Sequence, residues 1–515
     1  MSEDNSIIII GAGITGLAAG CYGQMNGYGT RIFELHDKPG GLCTSWHRKG
    51  YTIDGCIEWL VGSGEGTGFN KIWQELGAIQ GRTIVNHEEF ARIEIEGKQL
   101  IFYTDIDRLE RHMLELAPAD GRLIAEFANQ VRRFVRASRA MGDPTGPQGL
   151  TSTFKTGLAL LPYMNDLRKS ASTTVEEFAG RFTDPFLRTA FGAIFDLPDF
   201  PMLGMLMTFA WMDANDAGYP VGGSLAFSEA IERRYLALGG RIHYKSPVER
   251  IVIETGADGR WRAAGVRLAT GEEFRAGTVV SAADGHATIF EMLEGRFVDD
   301  KIRGYYDSLP IFQPMVQVSL GVARDLSAEP HSLIVNLGRP VTVGGQSQQL
   351  LGMRHYCFDP TMAPEGKSIV VVGFMTDYEY WRTLREQDEE HYEAEKQQVA
   401  EQVIDRLEGR FPGLTGQIEM VDVATPLTTE RYTGNWQGSI EGWLITTTTA
   451  PMMFGKGMRK TLPGLDRFYM AGQWVEPGGG VPTAAASGRR AIQTLCKRDG
   501  KPFVTSLPKE PASSS

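Results

Sequence analysis

The chain is poor in cysteine, carries no surplus of positive charge, and lacks an apolar run long enough to cross a bilayer. Its five cysteines, Cys21, Cys43, Cys56, Cys357 and Cys496, include no CxxC spacing. A metal site is therefore without its usual ligand pattern, and the thiols read as reduced ones in a cytoplasmic protein. Lysine and arginine number 52 against 63 aspartates and glutamates, a net charge of −11. Such a chain is poorly suited to neutralising a run of phosphates, so nucleic acid is not expected as a partner. The stretch Met202 to Met212 is 11 residues without a charge, short of the roughly 20 that a membrane-spanning helix needs. Met1 to Ser6 is polar and acidic, unlike the basic and then apolar start of a secretory signal. The rest is globular composition, 42% hydrophobic and 22% charged over 515 residues, enough for two domains rather than one core.

What the chain does have is glycine, 61 in all, concentrated at informative points. The first is Ser6-Ile-Ile-Ile-Ile-Gly-Ala-Gly-Ile-Thr-Gly16, an apolar strand that breaks into a glycine turn and opens a helix. Gly11 allows the bend, Gly13 lets a pyrophosphate approach the backbone, and Gly16 lets the helix close on the strand; Ala12, Ile14 and Thr15 complete a phosphate-binding turn at the helix's positive end. A second strand, Thr30 to Glu34, ends in an acid 18 residues after Gly16, near the roughly 20 expected of a carboxylate that binds the adenosine ribose. Next comes Gly40-Gly41-Leu42, which reads either as a surface turn or as a second backbone contact with the pyrophosphate. The last point is Arg467 to Ala491: a strand, a glycine turn at Gly472, and a small-residue helix whose N-terminus near Val481 suits a flavin's N1–C2=O edge.

These landmarks, with Gly50-Tyr-Thr-Ile-Asp-Gly55, Gly222-Gly-Ser224 and Pro477-Gly-Gly-Gly-Val-Pro482, resemble the bacterial-type phytoene desaturase and carotenoid isomerase family. Retinol saturase is a relative, and all lie within the flavin amine oxidase superfamily. The resemblance spans nearly the whole chain. It implies an α/β protein in which a Rossmann-like FAD-binding domain of the glutathione-reductase/amine-oxidase type is interleaved with a mixed α+β substrate domain. FAD is the implied cofactor and a lipophilic small molecule the implied substrate. By the same resemblance Val248 holds the adenine through its backbone, and Gly50 to Gly62 passes the isoalloxazine ring, bringing Trp59 and Glu58 toward the site. Leu42 stands where amine oxidases usually carry arginine, and the turn at Pro477 differs from theirs.

On this reading residues 1–100, 219–295 and 441–500 form the FAD domain, 101–218 and 296–440 the substrate domain, and 501–515 a disordered tail. Apolar periodicity predicts helix between Asp105 and Arg139 and over Gln387 to Leu407, with a Pro/Gly break at 142–149. The methionine-rich stretch at 202–212 reads as a buried helix or as the wall of a channel for a long apolar substrate. Peripheral membrane contact stays open, since a polyene is taken up from lipid. The implied chemistry is desaturation, in which flavin N5 takes a hydride and a base takes a proton, or cis/trans isomerisation assisted by reduced flavin. Glu58 and Glu476 are the candidate bases, turn-capping being the other role open to Glu476. An amine or amino-acid oxidase on this fold would need an aromatic cage and a lysine near N5, for which Lys456 is the nearest in sequence. A non-catalytic lipid-binding protein would be expected to have lost Gly11, Gly13, Gly16 or Glu34, and all four are present.

Overall fold

A computed structural model describes residues 5–140, 159–197, 199–454 and 458–508. The isoleucine run is β1 (Ser6–Ile10), which passes through the glycine turn into α1 (Ile14–Met25) and on to β2 (Gly29–Phe33). Ile7 to Ile10 are all buried, as they must be in a parallel sheet covered on both faces. Five strands lie in the order Arg241–His243, β2, β1, Thr278–Ser281, Phe468–Met470, each parallel to its neighbours. This one sheet thus draws on the beginning, middle and end of the chain. The C-terminal helix Val481–Arg498 packs against α1. Gly488 allows that approach, because a Cβ there would lie 2.4 Å from the Thr15 carbonyl oxygen.

A second sheet has seven strands, in the order Ile418–Ala424, Met315–Val322, Ser368–Met375, Gln346–His355, Ser332–Val343, Glu89–Ile95, Lys98–Tyr103. Its pairs are antiparallel except for Ser332–Val343 beside Glu89–Ile95. A division at residue 100 therefore cuts a hairpin. Ala91, Ile93 and Ile95 alternate toward the core, and the strand's hydrogen-bonding partners, Leu333 to Val335, assign the hairpin to this larger sheet.

The helical run after Asp105 is two helices, Ile106–Leu116 and Gly121–Ala140, broken by a turn that starts at Pro118. Met202–Asp213 is a core helix: Phe209 packs among Phe90, Phe102 and Phe127, and Met212, near its end, lines a cavity. The charged helix at 387–407 is the latter of two, Tyr378–Gln387 and Glu389–Arg410, with Val399, Val403 and Leu407 on its buried side. The predicted break at 142–149 and Lys456 fall outside the described residues. Residues 501–508 do not form the free tail expected of them. Asn26 exchanges hydrogen bonds with Val504, Arg234 donates to Ser506, and Phe503 lies against Tyr22 and Arg489. Among the described residues no helix is long and apolar enough to cross a membrane.

Candidate active site

The three glycine turns meet at one cleft. Its lining includes Gly11, Gly13, Ile14, Thr15, Glu34, Gly40, Gly41, Leu42, Val248, Gly472 and Val481. Gly40 donates its N–H to Ala12 O at 2.9 Å and forms a bridge with Gly13, so the second glycine pair is tied to the first turn rather than standing apart on the surface. Three expected residues sit elsewhere. Ala12 is buried and gives its N–H to the Glu34 carboxylate at 2.6 Å. Gly16 lies behind the turn, where a Cβ would come 1.9 Å from the Gly11 carbonyl oxygen. Trp59 faces a neighbouring cavity.

The cleft has the features a dinucleotide needs. An ideal Cβ on Gly13 meets nothing but the Gly40 carbonyl oxygen, at 3.8 Å, so the space in front of that backbone is open. No side chain caps α1 at Gly13 or the C-terminal helix at Gly480, which leaves first-turn N–H groups and two positive helix ends for an anionic ligand. Glu34 also accepts from the His36 N–H at 2.8 Å. Burial pushes its carboxyl up, against the hydrogen bonds from Ala12 and His36 that pull it down.

From the cleft the chain runs into a second cavity. β3 (Ser45–Arg48) and β4 (Tyr51–Asp54) form a hairpin, and Asp54 fixes its end by accepting from Ser224 N at 2.7 Å, Ser224 Oγ at 2.5 Å and Cys56 N at 3.0 Å. In the residues that follow, Cys56 lines the first cleft, while Glu58 and Trp59 line the second cavity. That cavity lies on the seven-stranded sheet, walled by Phe90, Phe195, Met315, Ile334, Leu350, Phe358 and Phe374 together with His87, His331 and His355. Glu58 Oε1 pairs with Arg354 Nη1 at 2.5 Å. Burial pushes the Glu58 carboxyl up, opposed by Arg354 and reinforced by Asp54. His87 and His331 stack with centroids 3.8 Å apart, and burial drives them down to about 4 and about 2, so both are neutral near pH 7.

Glu476 is not placed as a base. It lines neither cavity but is held by Lys460 at 2.6 Å and Arg490 at 2.9 Å. Two acids that the sequence reading missed do line the cleft. Asp284 accepts from Ala287 N and Trp436 N, and burial pushes it up to about 7. Among the described residues Glu441 lies against Gly479 with no ion pair or side-chain hydrogen bond, and burial pushes it up to about 8. Asp284 follows the third core strand of the parallel sheet, much as Glu34 follows the second, a signal that was available. No local signal marks Glu441.

A family model described as flavin containing amine oxidoreductase matches residues 14–496. The chain is 24% identical to a chloroplastic prolycopene isomerase of Daucus carota, covering 95% of this chain and 79% of that one. It is 25% identical to a lycopene-forming phytoene desaturase of Pseudescherichia vulneris, covering 95% and 98%. Among solved structures, cyclohexylamine oxidase from Brevibacterium oxydans superposes with a TM-score of 0.57 at 16% identity over 97% of this chain and 100% of that one, a likeness of fold.

Proposed function

The chain belongs to the flavin-containing amine oxidoreductase family as an FAD-dependent oxidoreductase of α/β fold, and from that premise we propose that it acts on a long, apolar, isoprenoid or carotenoid-like substrate. The reaction is desaturation or geometric isomerisation of that substrate. Bound FAD supplies a two-electron acceptor at N5, or electrons lent to a polyene and returned. The observation that carries the reading is the short segment Cys56 to Trp59, which faces the nucleotide cleft at one end and the aromatic-walled cavity at the other.

In this reading Glu34 binds the adenosine ribose, Val248 the adenine, the uncapped end of α1 the pyrophosphate, and the helix starting at Val481 the electron-rich edge of the ring. The aromatic walls bury the substrate and exclude water. Glu58 takes the proton lost from the carbon next to the hydride donor. Its pairing with Arg354 favours the charged form, against the burial that favours the neutral one. Leu161 and Met164, exposed in the helical part, give the apolar contact through which a substrate dissolved in lipid would be collected.

The test is anaerobic mixing of the holoenzyme, oxidised or photoreduced, with isoprenoid polyenes and separately with alkyl amines. The expected result is a polyene of altered unsaturation or geometry. Flavin reduction by amines, with polyenes left unchanged, would replace this reading with amine oxidation.

A further inference from the structure

Of the five cysteines, Cys21 and Cys496 are buried in the core beside α1 and Cys357 stands apart. Cys43 and Cys56 are different, because both line the FAD cleft. The hairpin of β3 and β4 pairs Ser45 with Asp54 and Trp46 with Ile53, and Gly55 N donates to Thr44 O at 3.1 Å. Continued by one step, that register sets Cys43 opposite Cys56. Thr44 N turns away to Leu42 O at 2.9 Å, so the ladder closes at that step and Cys43 and Cys56 leave its end side by side, the kind of neighbourhood in which the Cα separation of about 4.4–6.8 Å that a disulfide spans is reached. Backbone bonds agree: Cys43 N donates to Gly40 O and Cys56 N to the Asp54 carboxylate, neither to the other strand. The Cys43 thiol donates to Ser224 O at 3.7 Å, and the nearness of that thiol, with burial, pushes the Cys56 thiol well up. Cys56 is walled by protein yet open to solvent because it faces the cleft.

We propose that Cys43 and Cys56 are a redox couple that exchanges two electrons with the flavin held in the same cleft. The proposal rests on the FAD-cleft reading above. In the exchange both S–H bonds break and one S–S bond forms. The two electrons and two protons released pass to oxidised FAD, giving FADH2, and the reverse transfer restores the dithiol. The cleft would thereby store a second pair of electrons, which a flavoenzyme alternating between oxidising and reducing its substrate can draw on.

The experiment uses the air-oxidised holoenzyme. Alkylation in denaturant followed by peptide mass analysis reports whether residues 43 and 56 are cross-linked, and anaerobic dithionite titration counts electrons per flavin. The expected result is a Cys43–Cys56 cross-linked peptide and uptake of about four electrons, falling to about two in Cys56→Ser, a substitution at the cleft surface, and unchanged in Cys357→Ser. Two freely alkylated cysteines, or uptake of only about two electrons by the wild type, would overturn the proposal. A purified protein without flavin that refuses added FAD would instead refute the cofactor assignment, and the alkylation pattern would then be read on its own.

Discussion

At the scale of single residues, the two central glycines of the first turn have opposite surroundings and should fail in opposite ways. Gly13 has a φ of −65° and open space before it, so Gly13→Ala should fold normally and lose FAD affinity by about tenfold or more, read by titrating apoprotein with FAD. In Gly16→Ala the added methyl meets the Gly11 backbone, so the protein should be destabilised by about 2 kcal/mol or more, visible as a lower melting temperature even without cofactor. Glu441 gives a pH dependence. Its folded pKa, about 8, lies above the ordinary carboxyl value of about 4; the native state therefore favours the neutral form. Stability from this group is full below about pH 4 and is lost as pH rises toward 8. The apoprotein's melting temperature should fall over that window, and Glu441→Gln should make the fall shallower, the remainder coming from Asp284, pushed up to about 7. The glycines of the first turn and Glu34 were legible because one continuous strand–turn–helix–strand segment, residues 6–34, brings them to the cleft. The Glu58–Arg354 pair was not, since its partners are far apart in the chain, and Glu476 misled because its place in a glycine turn says nothing of Lys460 and Arg490 beside it.

At the scale of elements, apolar period gave strands and helices with boundaries close to those observed, such as Gly29–Phe33 and Glu389–Arg410 against the predicted Thr30 to Glu34 and Gln387 to Leu407. Pairing was another matter. The hairpin Glu89–Tyr103 reads as two strands, but which sheet it joins depends on Ser332–Val343, and no local pattern encodes a partner that distant. The methionine-rich helix Met202–Asp213 shows the same limit, since an all-apolar run suits a core and a channel wall equally. Its packing decides for the core, and a test follows. Phe209→Ala should cost about 3–5 kcal/mol, measured by denaturant unfolding of the helical part, while FAD content stays near that of the wild type because Phe209 lines neither the cleft nor the cavity.

At the scale of the molecule, one parallel sheet collects strands from both ends and the middle of the chain, and the cleft beside it is built the same way. The second cavity begins where the first cleft ends, with Glu58 at the join. Glu58→Gln should keep FAD bound, because Glu58 lies outside the cleft lining, and should slow conversion of a polyene about a hundredfold or more in a product assay under saturating cofactor. A role in folding alone would lower FAD content and stability as well, without the selective loss of turnover. Most of the cleft was legible as motifs; the second cavity was not, being a product of sheet pairing rather than of any short run of residues.

The most direct measurement is a titration of the apoprotein with FAD, followed by the visible absorbance of bound flavin in the wild type, Gly13→Ala and Glu34→Ala. The account predicts one FAD per chain in the wild type and binding weakened about tenfold or more in each variant. A wild-type protein that takes up no FAD, or variants that bind it as tightly as the wild type, would contradict it.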